Sequence, residues 1–200
     1  MLVIGLTGGI GTGKSTVSGM LAHLGAVILN ADLVGHEAYL PRQNVWQEVM
    51  EAFGHEVLNE RDEVDRAKLG AAVFKDPEAL KRLNAIVHPW MYRRMEQLLG
   101  ELRSKGTKVA VLEAALLFEA GWKPLVDEVW MTFSSEENVI RRLGDRNGLA
   151  EEQVRQRMRA QLPAEERIKG ADLVVNTDGT IDEVREVVRR LWQERVEAVR

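Results

Sequence analysis

The sequence predicts an α/β protein centred on a parallel five-stranded sheet. Three observations carry that reading. Residues 2–6, 26–29, 108–112, 128–132 and 172–175 form short apolar runs rich in β-formers, as strands buried on both faces must be. Helical patterns fill the stretches between them, and alternation of strand and helix is how a parallel sheet is built. A glycine-rich segment, residues 5–16 (GLTGGIGTGKST), directly follows the first run, so the chain turns sharply at the carboxyl end of a strand, where open α/β sheets bind ligands.

Bulk composition sets the outer bounds. The chain has 200 residues, 45% hydrophobic and 29% charged, enough to bury a substantial core without covalent staples. A formal net charge of −4 speaks against a general nucleic-acid binder, which carries a basic excess. The absence of cysteine rules out disulfides, thiolate zinc sites and cysteine nucleophiles. The N-terminus has no basic segment, and its apolar run is too short for a signal peptide or a membrane span. A cytoplasmic location with no membrane partner is the expectation, and the sequence leaves oligomeric state open.

The glycine-rich segment contains G-x-x-x-x-G-K-[ST] at Gly8, Gly13, Lys14 and Ser15. Glycines let the backbone curl so that successive N–H groups point inward and cradle phosphate oxygens. The helix that follows adds its unpaired first amides and the positive end of its dipole. Gly8, Gly9, Gly11, Thr12, Gly13, Lys14, Ser15 and Thr16 are therefore the candidate nucleotide-phosphate-binding residues, for ATP or GTP alike. Lys14 reaches the β- and γ-phosphates, and the Ser15 hydroxyl is a Mg²⁺ ligand. The dinucleotide fingerprint G-x-G-x-x-G is not met in this stretch, which speaks against a nicotinamide cofactor.

Helix boundaries are legible further on. Ser134 with Glu137, and Thr180 with Glu183, form capping-box patterns. Asp76-Pro77 reads as an N-cap followed by proline at the first helical position. Val184, Val187, Val188 and Leu191 share one face of the last helix and read as core packing. Residues 33–106 are mostly helical in pattern and too long for a simple crossover, so they are expected to form an inserted helical subdomain. The nucleotide-binding core then comprises residues 1–32, 107–140 and 168–200. Residues 141–167 hold Arg141, Arg142, Arg146, Arg155, Arg157, Arg159 and Arg167, either as a solvated helix face or as a cationic lid over polyphosphate.

The acceptor side is read from carboxylates. Asn30-Ala31-Asp32 follows the second strand. Asp32 can take the proton of an attacking hydroxyl, hold a magnesium-bound water, or merely cap the next helix. Asn84, His88 and Pro89 stand together, and a residue before proline is pushed out of helix, so His88 is expected at a bend. Glu113 ends the third strand, where many P-loop proteins place the acid of their metal site. Glu119 follows in a loop, where solvation is the plain alternative.

These segments together resemble the dephospho-coenzyme A kinase family over nearly the whole chain. GLTGGIGTGKST resembles its P-loop, NAD its D-A-D motif, LNAIVHP its substrate-domain signature and ALLFEAG its P-L-L-F-E segment. RLGDRNGL, Gln161 and ERIKGADLVVNTDG resemble its lid and adenine-side signature. The P-loop is shared by many families, but the set in this order is specific. The resemblance implies a P-loop NTPase-type three-layer fold with a helical CoA-binding insert and a helical lid. It implies transfer of the ATP γ-phosphoryl group to the 3′-hydroxyl of dephospho-CoA, with Mg²⁺. By the same resemblance, Asp32, Lys14 and Arg146 are the catalytic residues and Asn176 lies against adenine. His88, Leu116 and Glu119 belong to the acceptor site, and Ser15 and Glu113 to the metal. Two positions depart from the pattern: Asn30 and Ala115 stand where the family usually has aspartate and proline.

Two other classes compete on the residues alone. A kinase of another small acceptor shares the P-loop and lid. A GTP-dependent switch would want a guanine-reading N-K-x-D motif, and none is present.

Overall fold

A computed structural model describes residues 1–41, 43–74 and 76–197. The strands are β1 (Leu2–Gly8), β2 (Val27–Asn30), β3 (Val109–Glu113), β4 (Glu128–Phe133) and β5 (Leu173–Asn176). They form one parallel sheet in the order β2-β3-β1-β4-β5. β1 pairs with β3 from Leu2 against Val109 to Leu6 against Glu113, and with β4 from Ile4 against Glu128 to Gly8 against Thr132. The strand order reverses beside β1, so the crevice at its carboxyl end is the place where such sheets bind ligands.

The helices are α1 (Lys14–His23), α2 (Ala31–Ala38), α3 (Asn44–Phe53), α4 (Arg66–Phe74), α5 (Pro77–Ser104), α6 (Glu136–Asn147), α7 (Glu151–Arg159), α8 (Ala164–Gly170) and α9 (Ile181–Trp192). The chain divides into two compact units, residues 1–30 with 99–200 and residues 31–98. In the first, α1 and α9 cover one face of the sheet. Val17 and Leu21 of α1 and Val184, Val188 and Trp192 of α9 pack on Ile4, Leu6, Val111, Trp130 and Val175. Gly5 on the opposite face lies against Leu117 and Val126, so residues 114–126 cover that side together with α8, which packs on β4. The result is the three-layer α/β fold expected from the sequence.

The second unit is helical apart from an isolated antiparallel bridge between Leu58 and Val64. It has its own core, including Ala38, Val45, Val49, Val57, Leu69, Leu83 and Val87. Arg94 Nε donates to Glu37 Oε2 at 2.9 Å within it.

Asp76 caps α5, its Oδ1 accepting from the N–H groups of Glu78 (2.9 Å) and Ala79 (3.2 Å). Thr180 and Glu183 cap α9 reciprocally. Two expectations need correction. α6 begins one residue later than the pattern implies and is capped by Ser135, whose Oγ accepts from Asn138 N–H, while the neighbouring Ser134 hydroxyl donates to Asp178 Oδ1 at 2.6 Å. Pro89 lies inside α5, which continues through His88. Proline weakens an interior turn, but Val87 on one side and Met95 on the other are buried, and that packing outweighs the local preference.

The α1 packing sets the position of the glycine-rich turn. Leu21 is fully buried in the main core. Leu21→Ala should lower unfolding free energy by about 2–5 kcal/mol, read from the urea midpoint at unchanged m-value.

Candidate active site

The glycine-rich turn is held from below by hydroxyl groups. Thr12 Oγ1 donates to Gly9 O at 2.8 Å and lies 2.8 Å from Thr132 Oγ1 on β4. Thr177 Oγ1 donates to Thr12 O at 2.9 Å. Gly8 ends β1 so close to β4 that a Cβ there would run into the Thr132 hydroxyl. Gly13 enters α1 at φ 80° and caps it without a side-chain hydrogen bond. A residue with a Cβ is strained at that φ, and a helix start with no side-chain acceptor leaves its amides to an anion. Ser15 and Thr16 in the first turn of α1 are exposed.

Glu113, at the end of β3, gathers the polar groups at the floor of the turn. It is buried, and Lys14 Nζ donates to its Oε1 at 2.9 Å. Ser15 Oγ donates to Oε1 at 3.3 Å and Asn30 Nδ2 to Oε2 at 3.2 Å. Burial pushes the Glu113 carboxyl up, but the hydrogen bond and charge of Lys14, with the hydroxyls of Ser18 and Ser15, hold it below its ordinary value. The amide at Asn30 thus supplies a donor to this carboxylate, where an aspartate would place a second negative charge. Ser15 and Glu113 present the oxygen donors that Mg²⁺ prefers beside substrate phosphates, so the residues fit that ion.

The arginines of residues 141–167 sort into three kinds. Arg155 pairs with Glu136 and Glu151, and Arg159 with Glu152, on the solvent side of α7. Arg141 and Arg157 are exposed, and Arg146 is an exposed residue of the last turn of α6 whose Nε donates to Asn147 Oδ1 at 2.9 Å. Arg142 turns inward, donating from Nη1 to Ser134 Oγ (3.3 Å) and Thr177 Oγ1 (3.2 Å) and from Nη2 to Thr177 O. Arg167, on α8, is only 3% exposed. Burial pulls its guanidinium below the ordinary arginine value, and the Glu119 carboxylate opposes that. From the same region Gln161 Oε1 accepts from the N–H of Ile10 at 2.9 Å.

Asn176, at the end of β5, is exposed, and its Oδ1 accepts from Asp178 N at 2.8 Å. Leu116 is an exposed apolar residue in the turn after β3, which also carries Glu119. Asp32 lies in the first turn of α2 and is exposed. His88 is half-buried in α5, and burial lowers its pKa. The site residues expected from sequence leave out Thr132, Thr177, Gln161 and Asp178, although Gln161 and the segment holding Thr177 and Asp178 carry the family resemblance. Their contacts to the P-loop and its supports span 40 or more positions of sequence, so no local pattern reveals them.

A family profile described as dephospho-CoA kinase matches residues 2–183. The chain belongs to the dephospho-CoA kinase family. A dephospho-CoA kinase from Carboxydothermus hydrogenoformans is 42% identical over 96% of this chain and 93% of its own. One from Geobacillus kaustophilus is 44% identical over 92% of each. The crystal structure of TT1252 from Thermus thermophilus superposes with TM-score 0.79 at 35% identity over 97% of both chains. A shikimate kinase from Bacteroides thetaiotaomicron, 16% identical over 98% of both chains with TM-score 0.57, shares the fold. Members of the dephospho-CoA kinase family are ATP-dependent kinases of the final step of coenzyme A biosynthesis. No helix among the described residues is long and apolar enough to cross a membrane.

Asp178 ties β5 to α6 beside the glycine-rich turn. Burial raises its carboxyl, but donors from the Ser134 hydroxyl, the Ser135 amide, Asn138 and the Ser135 hydroxyl outweigh this and hold it at about 2, against 3.8. A depressed folded-state value means the carboxylate stabilises the protein above pH 3.8 and loses that effect as pH falls through 2. Unfolding free energy should therefore slope downward between pH 4 and 2, and Asp178→Asn should flatten that slope in urea titrations run across the interval.

Proposed function

We propose that this chain transfers the γ-phosphoryl group of ATP to the 3′-hydroxyl of dephospho-CoA through Lys14, Asp32 and the loop of residues 8–16. The observation that supports this most is the buried Glu113 carboxylate holding Lys14 and Ser15 at the mouth of an uncapped helix. That cluster presents an ammonium group, a hydroxyl and free helix amides to one point. Phosphoryl transfer asks the protein for positioning and charge stabilisation more than for covalent chemistry, and this is what the cluster offers.

In the step itself, the 3′-oxygen forms a bond to the γ-phosphorus as the bond to the β–γ bridging oxygen breaks. The hydroxyl proton goes to the Asp32 carboxylate, and ADP leaves with the electron pair. Asp32 sits two residues beyond β2, at the carboxyl end of a parallel strand. Lys14 turns from Glu113 toward the β- and γ-phosphate oxygens, and the loop amides bind the remaining oxygens. Ser15 and Glu113 are the residues that would hold Mg²⁺, which neutralises charge on the phosphates when bound. Arg146 is assigned to the lid over the phosphates, and its side chain is exposed at the last turn of α6. Asn176 is assigned to the adenine side, and His88, Leu116 and Glu119 to the acceptor, with the helical residues 33–106 as the acceptor-binding part. A cytoplasmic location fits both substrates.

Mixing the protein with ATP, Mg²⁺ and dephospho-CoA should give a product heavier than the acceptor by one phosphate, read by mass spectrometry. ADP release without phosphorylated acceptor would mark an ATPase instead. Lys14→Ala should lower turnover by about 10²–10³-fold, the scale of one lost electrostatic partner of the transferred group. Asp32→Asn should reduce kcat while leaving the ATP dissociation constant within about twofold, and full turnover in that variant would remove Asp32 from the role of base.

A further inference from the structure

The buried guanidinium of Arg167 stands apart from the other arginines of residues 141–167. Among the described residues, its Nε is sealed from solvent without a hydrogen-bond partner, and the nearest carboxylate oxygen, Glu119 Oε1, stands 4.0 Å away. That is a Coulombic partner and too long for a hydrogen bond. A buried cation left this way is costly unless an anion completes it. The guanidinium faces the P-loop: its Nη1 lies 3.0 Å from the point that a Cβ on Gly9 would occupy. Gln161 Oε1 lies 3.5 Å from that same point and accepts from Ile10 N–H at 2.9 Å. A backbone donor and a guanidinium thus converge on one small region, already visited by an acceptor oxygen, at the entry of the phosphate cradle.

The mounting is rigid. Gly170, at the end of α8, packs against Phe118 so closely that a Cβ would come within 2.8 Å of its ring. Lys123 Nζ donates to Gly170 O at 3.1 Å. The helix carrying Arg167 is therefore fastened to the same turn that carries Glu119.

The structure assigns Arg167 as a fixed second cation for the terminal phosphate of the bound nucleotide, with Glu119 as the residue that orients it. This rests on the reading of the site as an ATP-dependent kinase. Arg167 adds to Lys14 a planar fork of donors that suits phosphate oxygens, and Gln161 yields the Ile10 amide to a phosphate oxygen. The exposed Arg146 serves closure, while Arg167 is in place before closure begins.

The test compares affinities for ADP and for the β,γ-imido analogue of ATP, measured by calorimetry on wild type, Arg167→Gln and Arg167→Lys. Arg167→Gln should weaken the triphosphate analogue at least tenfold and ADP less than threefold, and Arg167→Lys, which restores the charge without the fork, should recover part of the loss. Equal weakening of both nucleotides, or lysine no better than glutamine, would show a packing role and overturn the assignment. Should Arg167→Gln not fold, the Nε–H resonance of Arg167 in ¹⁵N-arginine-labelled wild type, assigned through Arg167→Lys, gives the answer. It should move with the triphosphate analogue and not with ADP, and no movement with either overturns the assignment. Neither measurement uses the acceptor, so a wrong acceptor leaves this result standing, and a failed result here leaves the acceptor assay intact.

Discussion

A loop that aims its donors at one point must find an acceptor for each of them, and this requirement organises everything around residues 8–16. A buried donor left without a partner costs about 1–3 kcal/mol, more when charged. Here the protein provides acceptors from two distant parts of the chain and one within the loop. The Glu113 carboxylate takes Lys14 and Ser15, Gln161 takes the Ile10 amide, and Gly9 O closes the turn onto Thr12. Under the proposed function, phosphate oxygens compete with Glu113 and Gln161 for Lys14, Ser15 and the Ile10 amide, and meet the first amides of α1 unopposed by a side-chain cap.

The same requirement explains the density of small hydroxyls beneath the turn. Thr12, Thr132 and Thr177 are all buried, and each gives the loop backbone or its neighbours a hydrogen bond from a short side chain with little rotamer freedom to lose. Asp178 then anchors the second tier by collecting Ser134, Ser135 and Asn138, and Arg142 bridges that tier back to Thr177. A carboxylate that accepts so many donors is fixed in place, and so is the start of α6. Electrostatic stabilisation of a transferred group depends on donors that need no reorganisation as the reaction proceeds. A tier of short hydroxyl bonds and a second, charge-assisted tier are how this chain builds that rigidity at the carboxyl ends of β1, β4 and β5.

What could be read from the sequence is what is local. Each strand is found within two residues of its apolar run; in the buried β1 and β3 few polar positions confuse the limits, and the edge strands β2 and β5 keep the same run despite their exposed positions. The phosphate loop is legible because its glycines are demanded by backbone geometry at Gly8 and Gly13. Asp76 and Thr180 are legible caps because the partner lies within three residues. Local reading falters where a distant group makes a better offer. Ser134 matches a cap pattern, yet Asp178, 44 positions away, holds both Ser134 and Ser135, and α6 starts from Ser135. Pro89 argues for a bend, yet packing on both sides carries α5 through it. The arginines of residues 141–167 look alike in sequence, and only the packing of α6, α7 and α8 divides them into surface pairs, a bridge at Arg142 and a buried charge at Arg167.

That division follows from where a charge is effective. Arg155 and Arg159 face water and are matched to carboxylates on their own helix surface or beside it, an arrangement worth a few tenths of a kcal/mol to about 1 kcal/mol and one that leaves little field at a distance. A guanidinium sealed from solvent exerts a far stronger field on its surroundings, since the effective dielectric around it is lower. Close pairing with Glu119 would quench that field, whereas complete isolation would be too costly to fold around. The 4.0 Å separation between Arg167 Nε and Glu119 Oε1 lies between these limits: near enough to offset part of the burial, far enough to leave the positive charge directed at the Gly9 end of the loop. The position of one carboxylate in the turn after β3 thus decides how much of a buried charge the phosphate cradle can use.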